Sequence, residues 1–356
     1  MKKLLFGKRT NTTMKYAIGY QQPENGEPFS NIVADYREHI AEVYFPWPNL
    51  ASGRAALGSS LGAVDWRAQR ELEENLRAIR DMGIRLDILF NANCYGASGI
   101  SVALNNQVCS IIDYLGNLGL LPDVATTTSP FVATAIKKNF PEVETRASVN
   151  MRIDSTLAMG YLADIFDSYH IRRDLQRDLK TVALFSDWCK ANGKTLCMLA
   201  NSGCLRHCPA QSFHDNLVAH DAEIDQTKNV KGYMPHLCWK LYQNKENYEE
   251  ILRCSWIRPE DIFRYEPYFK MVKLATRQHS HPRMVLGAYI SGHYDGNLLD
   301  LLEPGFSTIF RPYAIDNARF PDNWHTIATS CAANCTHCGK CTEVLNQVLV
   351  KARDDE

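Results

Sequence analysis

Apolar positions along the chain fall into two alternating patterns. Short runs at 16–20, 40–45, 85–90, 123–127, 143–149, 165–169, 195–199 and 269–274 read as strands. Pro46 and Pro48 stop the second of them. Between the runs lie longer stretches in which apolar residues recur every three or four positions. The clearest spans 65–82, where Leu72, Leu76 and Ile79 share a face, Asp65 stands as N-cap and Gly83 as C-cap. Helical spacing also covers 108–118, 131–139 (ended by Pro141) and a short segment ending near 162. It returns at 174–191, with Leu175, Leu179, Val182 and Phe185 on one face. An apolar helix is predicted over 282–302 and a short amphipathic one over 342–351.

Strand-then-helix alternation gives a parallel sheet covered by helices. Eight such units suit a TIM-like (β/α)8 barrel of the α/β class, assigned to 14–310, with a short cysteine-rich extension at 311–356. A doubly wound open sheet is the alternative. In a barrel the active residues sit at the C-terminal strand ends. Polar residues stand there: Asn91, Asn93 and Cys94; Thr128 and Ser129; Asn150 and Arg152; His170 and Arg172; Asn201; Arg277. The Gly-x-Gly spacing of a dinucleotide loop is absent after the first strand.

Composition narrows the classes. Of 356 residues, 45% are hydrophobic and 22% charged, which excludes disorder over most of the chain. The net charge of -1 supplies no global field for a polyanion, so an RNA partner needs a local patch. No apolar run reaches the ~20 residues of a membrane span. Leu4, Leu5 and Phe6 are too few for the ~7–15-residue core of a signal peptide, so the expected location is the cytoplasm.

The twelve cysteines are unevenly placed. In a reducing compartment, clustered cysteines point to metal or redox chemistry. Cys204 and Cys208 form a Cys-x3-Cys pair after the seventh strand, with Cys238 and Cys254 further on. His207 and His214 are rival ligands that favour zinc. Cys331, Cys335, Cys338 and Cys341 lie within eleven residues, spaced x3, x2, x2. Their Cys-x2-Cys-x2-Cys core is similar to ferredoxin cluster loops, with Cys331 as fourth corner and Gly339 at a tight turn. A zinc knuckle is the alternative. Cys109, Cys189 and Cys197 read as small buried hydrophobes, whereas Cys94 sits at a strand end and can face a pocket.

Arg146, Arg172, Lys273 and Arg277 are placed to line a pocket that grips a carboxylate or phosphate. The alternative is that some pair with Asp154, Asp167 or Asp174 on the rim. His170 and His207 are candidate proton donors. Asn91, Asn93 and Asn201 are candidates to orient substrate. No Gly-x-Ser-x-Gly elbow and no His-Glu-x-x-His motif is present. Trp239, Tyr242, Tyr248 and Trp256 enrich the insertion between the cysteines, as an interface, a lid or core packing.

From about Val143 to Leu302 the chain resembles the peptidase U32 family. The matching segments are Arg146-Ala-Ser148-Val-Asn150, Tyr169-His-Ile-Arg172-Arg-Asp-Leu, and the Cys204 to Cys254 block. Ser255-Trp-Ile-Arg-Pro-Glu-Asp-Ile and Phe269-Lys-Met-Val-Lys273-Leu-Ala-Thr-Arg277 complete the match. The chain departs from the family in its short Cys-x3-Cys spacing, in Ala275 where a Glu is usual, and in Asn150 within a Gln-rich element. The resemblance implies a TIM-like barrel with one [4Fe–4S] cluster on Cys204, Cys208, Cys238 and Cys254. It implies redox activity, oxygen-independent hydroxylation of an RNA base or a quinone ring, in some relatives with prephenate as oxygen source. Other relatives are labelled peptidases, and some work as heterodimers. On this reading the catalytic candidates are His170, Arg172, Lys273 and Arg277, and the substrate-binding candidates Asn91, Asn93, Arg146, Ser148, Asn150 and Asn201. The tail quartet would hold a second cluster, with zinc as alternative. A small-molecule or RNA substrate, an electron donor and a partner subunit are the expected partners.

Overall fold

The computed structural model describes residues 13–22, 27–48, 50–54, 57, 65–331 and 335–352. The N-terminal Leu4, Leu5 and Phe6 lie outside the described residues.

Eight strands, β1 Lys15–Gly19, β2 Ile40–Pro46, β3 Arg85–Phe90, β4 Val124–Thr127, β5 Glu144–Ala147, β6 Ser168–His170, β7 Thr195–Leu199 and β8 Met271–Lys273, form a closed barrel. Every neighbouring pair is parallel. Pairing of Tyr16 with Val272 and Ala17 with Lys273 closes the ring, which rules out the open sheet. The parallel order follows from the crossover helices between strands, since a parallel neighbour cannot be reached by a hairpin.

Side chains alternate across each strand. Val43, Phe45, Leu86, Ile88, Phe90, Leu196, Met198 and Val272 join the large apolar core that the helices cover. The opposite face of the same strands carries Glu42, Tyr44, Asp87, Leu89, Arg146, His170 and Lys273. Among the described residues of that face, Ala17, Tyr44 and Leu89, with Met271 against them, form an apolar patch apart from the main core. Most barrels of this kind fill the bore with branched apolar residues; this bore is largely polar.

The helix Trp66–Asp81 follows its sequence pattern. Asp65 caps it by accepting from Ala68 N at 2.9 Å, and Leu72, Leu76 and Ile79 are buried. Two expected helices are shorter than their apolar spacing suggests. The stretch expected at 174–191 is a 3-10 turn, Arg173–Leu175, followed by the helix Leu179–Ala191. Asp178 starts that helix by accepting from the backbone of Lys180 and Thr181. The one expected over 282–302 is Pro282–Ser291, ended at Gly292 with φ +64°. A third begins earlier than expected, at Val102, capped by Ser101.

The C-terminal segment is bound to the barrel. Its helix Lys340–Val348 buries Val344, Leu345 and Val348 in the main core. Strand β9 Tyr313–Ile315 pairs antiparallel with β10 Leu349–Lys351, which occupies the end of the stretch expected to be helical. The aromatic insertion packs inward: Tyr248 stacks on Phe310 at 3.9 Å and Trp256 on Trp324 at 5.6 Å.

Candidate active site

A chamber of about 60 Å³ opens at the C-terminal strand ends, with Tyr44, Arg54, His170, Arg173, Lys273 and Arg277 in its wall. It shares Arg54 and Glu303 with a larger cavity of about 800 Å³, whose wall includes Cys204 and Cys238. Of the residues singled out by sequence, Asn91, Ser148, Asn150, His170, Lys273 and Arg277 meet at the chamber. The loop at 50–54 drapes over two of them. Gly53 N donates to Asn91 Oδ1 at 3.0 Å, and a side chain at Gly53 would press on the Asn150 and Asn91 amides at 2.9 and 3.0 Å.

His170 is 1% exposed, and neither ring nitrogen has a hydrogen-bond partner. Burial, with Lys273 and Arg146 nearby, holds its pKa well below the usual imidazole value, so the ring is neutral. Lys273 Nζ lies 3.6 Å over the Tyr44 ring. Burial lowers the Lys273 pKa, and Asp87 opposes the shift. Burial also lowers Arg277, to about 10, and Arg54 adds to the effect. Arg277 donates to Ser52 Oγ at 3.1 Å. Arg54 pairs with Glu303 at 2.9 Å, and Arg173 reaches the Cys204 thiol at 3.2 Å.

Four other candidates are placed elsewhere. Arg146 does not line the chamber. Its guanidinium is bound by both oxygens of Glu42 and by Glu144 at 3.0 Å, with Asp87 at 3.5 Å, toward the N-terminal strand ends. Arg172 turns to the rim, pairing with Asp174 at 2.8 Å and Asp154 at 3.3 Å, because those carboxylates flank its strand end. Asn93 donates to Asp215, which also binds Arg152. Asn201 bridges backbone, donating to the carbonyls of Ala275 and Leu301 and accepting from Ala275 N. Sequence reasoning missed Tyr44, Arg54, Arg173 and Glu303. A bore-facing aromatic in β2 and an Arg beside Arg172 were the available signals.

Cys204 is the hub of the first quartet. Burial pushes the Cys238 and Cys254 thiols up to about 12, and Cys204 adds to both shifts. Cys208 is raised by burial and by the same neighbour. Thiols held protonated by burial, as Cys208, Cys238 and Cys254 are, suit a thiophilic cationic group that would stabilise them as thiolates. Among the described residues, no three His, Cys, Asp or Glu side chains converge as ligands of one metal ion. His214 stands against His236, ring centroids 4.5 Å apart. His207 is held by Asp174, which accepts from its backbone N–H at 2.9 Å.

The tail thiols Cys331, Cys335, Cys338 and Cys341 share the wall of a cavity of about 380 Å³ with Arg206 and His207 from the first cysteine loop. Arg177 lies between the quartets, its guanidinium 4.5 Å from the Trp256 ring and 5.6 Å from Trp324. Burial lowers its pKa to about 10, against the influence of Tyr265, Cys254 and Cys341. No disulfide is formed among the described residues. Cys189 and Cys197 are buried, and burial pushes both up to about 12. Cys94 differs. A hydrogen bond with His220 lowers its pKa, and Gly96 N donates to its sulfur at 3.3 Å. His220 Nδ1 is in turn 3.1 Å from Glu223 Oε2.

No protein-family model matches the chain. It is 27% identical over 316 residues to the uncharacterized protease MJ1657 of Methanocaldococcus jannaschii, covering 86% of this chain and 88% of that one. In fold it matches the U32 peptidase Mk0906 with a TM-score of 0.53 and 13% identity, covering 76% of this chain and 95% of that one. The chain shares the barrel fold of that U32 peptidase. The chamber and the cysteine block lie at the C-terminal face of the barrel, where barrel enzymes act. Among the described residues, no helix is long and apolar enough to cross a membrane.

Proposed function

We propose that this barrel is a U32-type enzyme that takes a small anionic substrate into its cationic mouth, beside a cysteine quartet. The observation that carries the reading is the meeting of Arg54, Arg173, Lys273 and Arg277 around an unpartnered, neutral His170. Arginine and lysine cations that converge on one chamber stabilise a carboxylate or phosphate through charge-assisted hydrogen bonds. His170 can accept or donate a proton without first breaking a bond. Cys204, Cys208, Cys238 and Cys254 would hold a [4Fe–4S] cluster, and the tail quartet a second. A cluster supplies one-electron chemistry when bound, and the assigned reaction is oxygen-independent hydroxylation. Calorimetric titration with small carboxylates and phosphates tests the mouth. Iron, sulfide and zinc content of protein prepared without oxygen tests the thiols. Zinc without iron sinks the redox reading.

A second reading is hydrolysis. It is favoured by Cys94, His220 and Glu223, which supply a thiol, a base and an orienting carboxylate in hydrogen-bonded sequence. The name of the archaeal relative points the same way. Peptidase activity lost in Cys94→Ala and retained after iron removal would favour it.

A further inference from the structure

We propose that Lys273 is a covalent catalytic residue whose amine forms a Schiff base with a carbonyl group on the anionic substrate. The inference rests on the reading of the mouth as an anion site and adds the class of substrate, an aldehyde or ketone that also carries an acid group.

The geometry comes from three sides of the chamber. Lys273 ends β8 and contributes to the chamber wall, only partly covered. Its ammonium rests on the Tyr44 ring. The nearest bore carboxylate is committed elsewhere: Asp87 accepts from Thr126 N at 3.1 Å and Thr126 Oγ1 at 2.8 Å, and faces Arg146 at 3.5 Å. His170, with both nitrogens unpartnered, lines the same chamber. Arg277 in the chamber wall and Arg54, which also lines the larger cavity, supply the anion grip. A chamber of about 60 Å³ admits a carbonyl end and leaves the rest of the molecule in the larger space.

A lysine partly withdrawn from water among other cations can act as a nucleophile, because it gives up its proton more readily. Asp87 and Glu42 act to keep Lys273 charged, while burial, Arg146 and Arg277 act to discharge it, and burial is the largest influence. His170 stays neutral beside it. In the step, Nζ adds to the carbonyl carbon and a C–N bond forms. The amine protons pass by way of His170 to the carbonyl oxygen, which leaves as water. A C=N bond remains, with no net oxidation or reduction.

The test uses the whole chain with pyruvate or glyoxylate as probe, borohydride to reduce any imine, and mass spectrometry of intact protein and peptides. Pyruvate binding is measured in parallel by calorimetry. The expected result is one adduct per chain, on the peptide with Lys273, and none in Lys273→Arg at a pyruvate concentration that calorimetry shows to saturate that variant. Trapping at Lys273 should reach half its yield at a lower pH than at surface lysines. Pyruvate bound without an adduct, or adducts spread over surface lysines alone, overturns the covalent role. Failure of wild type to bind any small carboxylate overturns the anion-site reading, and the inference with it.

Discussion

Toward the N-terminal strand ends the bore holds Arg146 among Glu42, Asp87 and Glu144, every charge answered by another. Toward the mouth it holds Lys273 over an aromatic ring and His170 with no partner. Arg146 and His170 are buried, Lys273 is partly covered, and both groups come from the same strand faces. A buried charge with full partners specifies packing, and removing one partner exposes the cost of the others. A buried polar group without partners is a cost retained for something else, and active sites are where such costs collect. The lower bore thus has the character of a structural network, and the upper bore is where the proposed chemistry would act.

The strongest way to break this comparison is a matched pair of variants. Arg146→Met leaves three carboxylates facing each other and is expected to lose ~3–5 kcal/mol of stability in urea unfolding. His170→Leu removes an unsatisfied ring and is expected to leave stability within about 1 kcal/mol of wild type. Equal losses in the two variants would erase the distinction. The next largest effect is on binding. Arg54→Gln should weaken small-carboxylate binding by ~1.5–3 kcal/mol, roughly ten- to a hundredfold, by calorimetry.

Acid titration sharpens the comparison from the structural end. Burial pushes Glu144 up, but Arg146, Ser168 and Arg85 overcome it and hold its pKa at about 2, against 4.5 for the free group. A depressed carboxylate contributes stability above its unfolded pKa and loses it as pH falls through the folded one. The melting temperature should therefore drop between about pH 4.5 and 2, and drop less in Glu144→Gln. The smallest expected effect on stability is at the rim. Cys94→Ala should shift unfolding by no more than ~0.5 kcal/mol, as surface changes do. The Cys94 thiol should nevertheless be alkylated by iodoacetamide ahead of Cys189 and Cys197, whose burial keeps them protonated.

The barrel was legible because strand faces and turn residues are local. β3 and β7 fall on the predicted 85–90 and 195–199. Helix starts were less so. Leu175 keeps the helical spacing, yet it sits in a 3-10 turn, and the first residue that can cap is Asp178. Beyond Gly292, the apolar Leu298, Leu299 and Leu301 belong to a buried 3-10 turn that mimics a longer helix. In the site, the strand pattern put Arg146 and Lys273 on one face but gave no depth. Depth depends on Glu42 and Asp87, which arrive from distant strands. Arg54 and Glu303 sit in loops, where no periodicity marks a residue as facing a pocket. The cysteine clusters stood out because spacing of that density is rare outside metal chemistry.

The β9–β10 clasp has a consequence for the tail thiols. Tyr313 pairs with Lys351 and Ile315 with Leu349, so the chain that carries Cys331, Cys335, Cys338 and Cys341 is a loop pinned at both ends. A free tail must give up chain entropy to gather four side chains around one guest, whereas a pinned loop has surrendered part of it on folding. Two short strands that carry no cysteine would thus raise the affinity of the quartet for the cluster proposed there. Opening them would weaken uptake without touching a ligand.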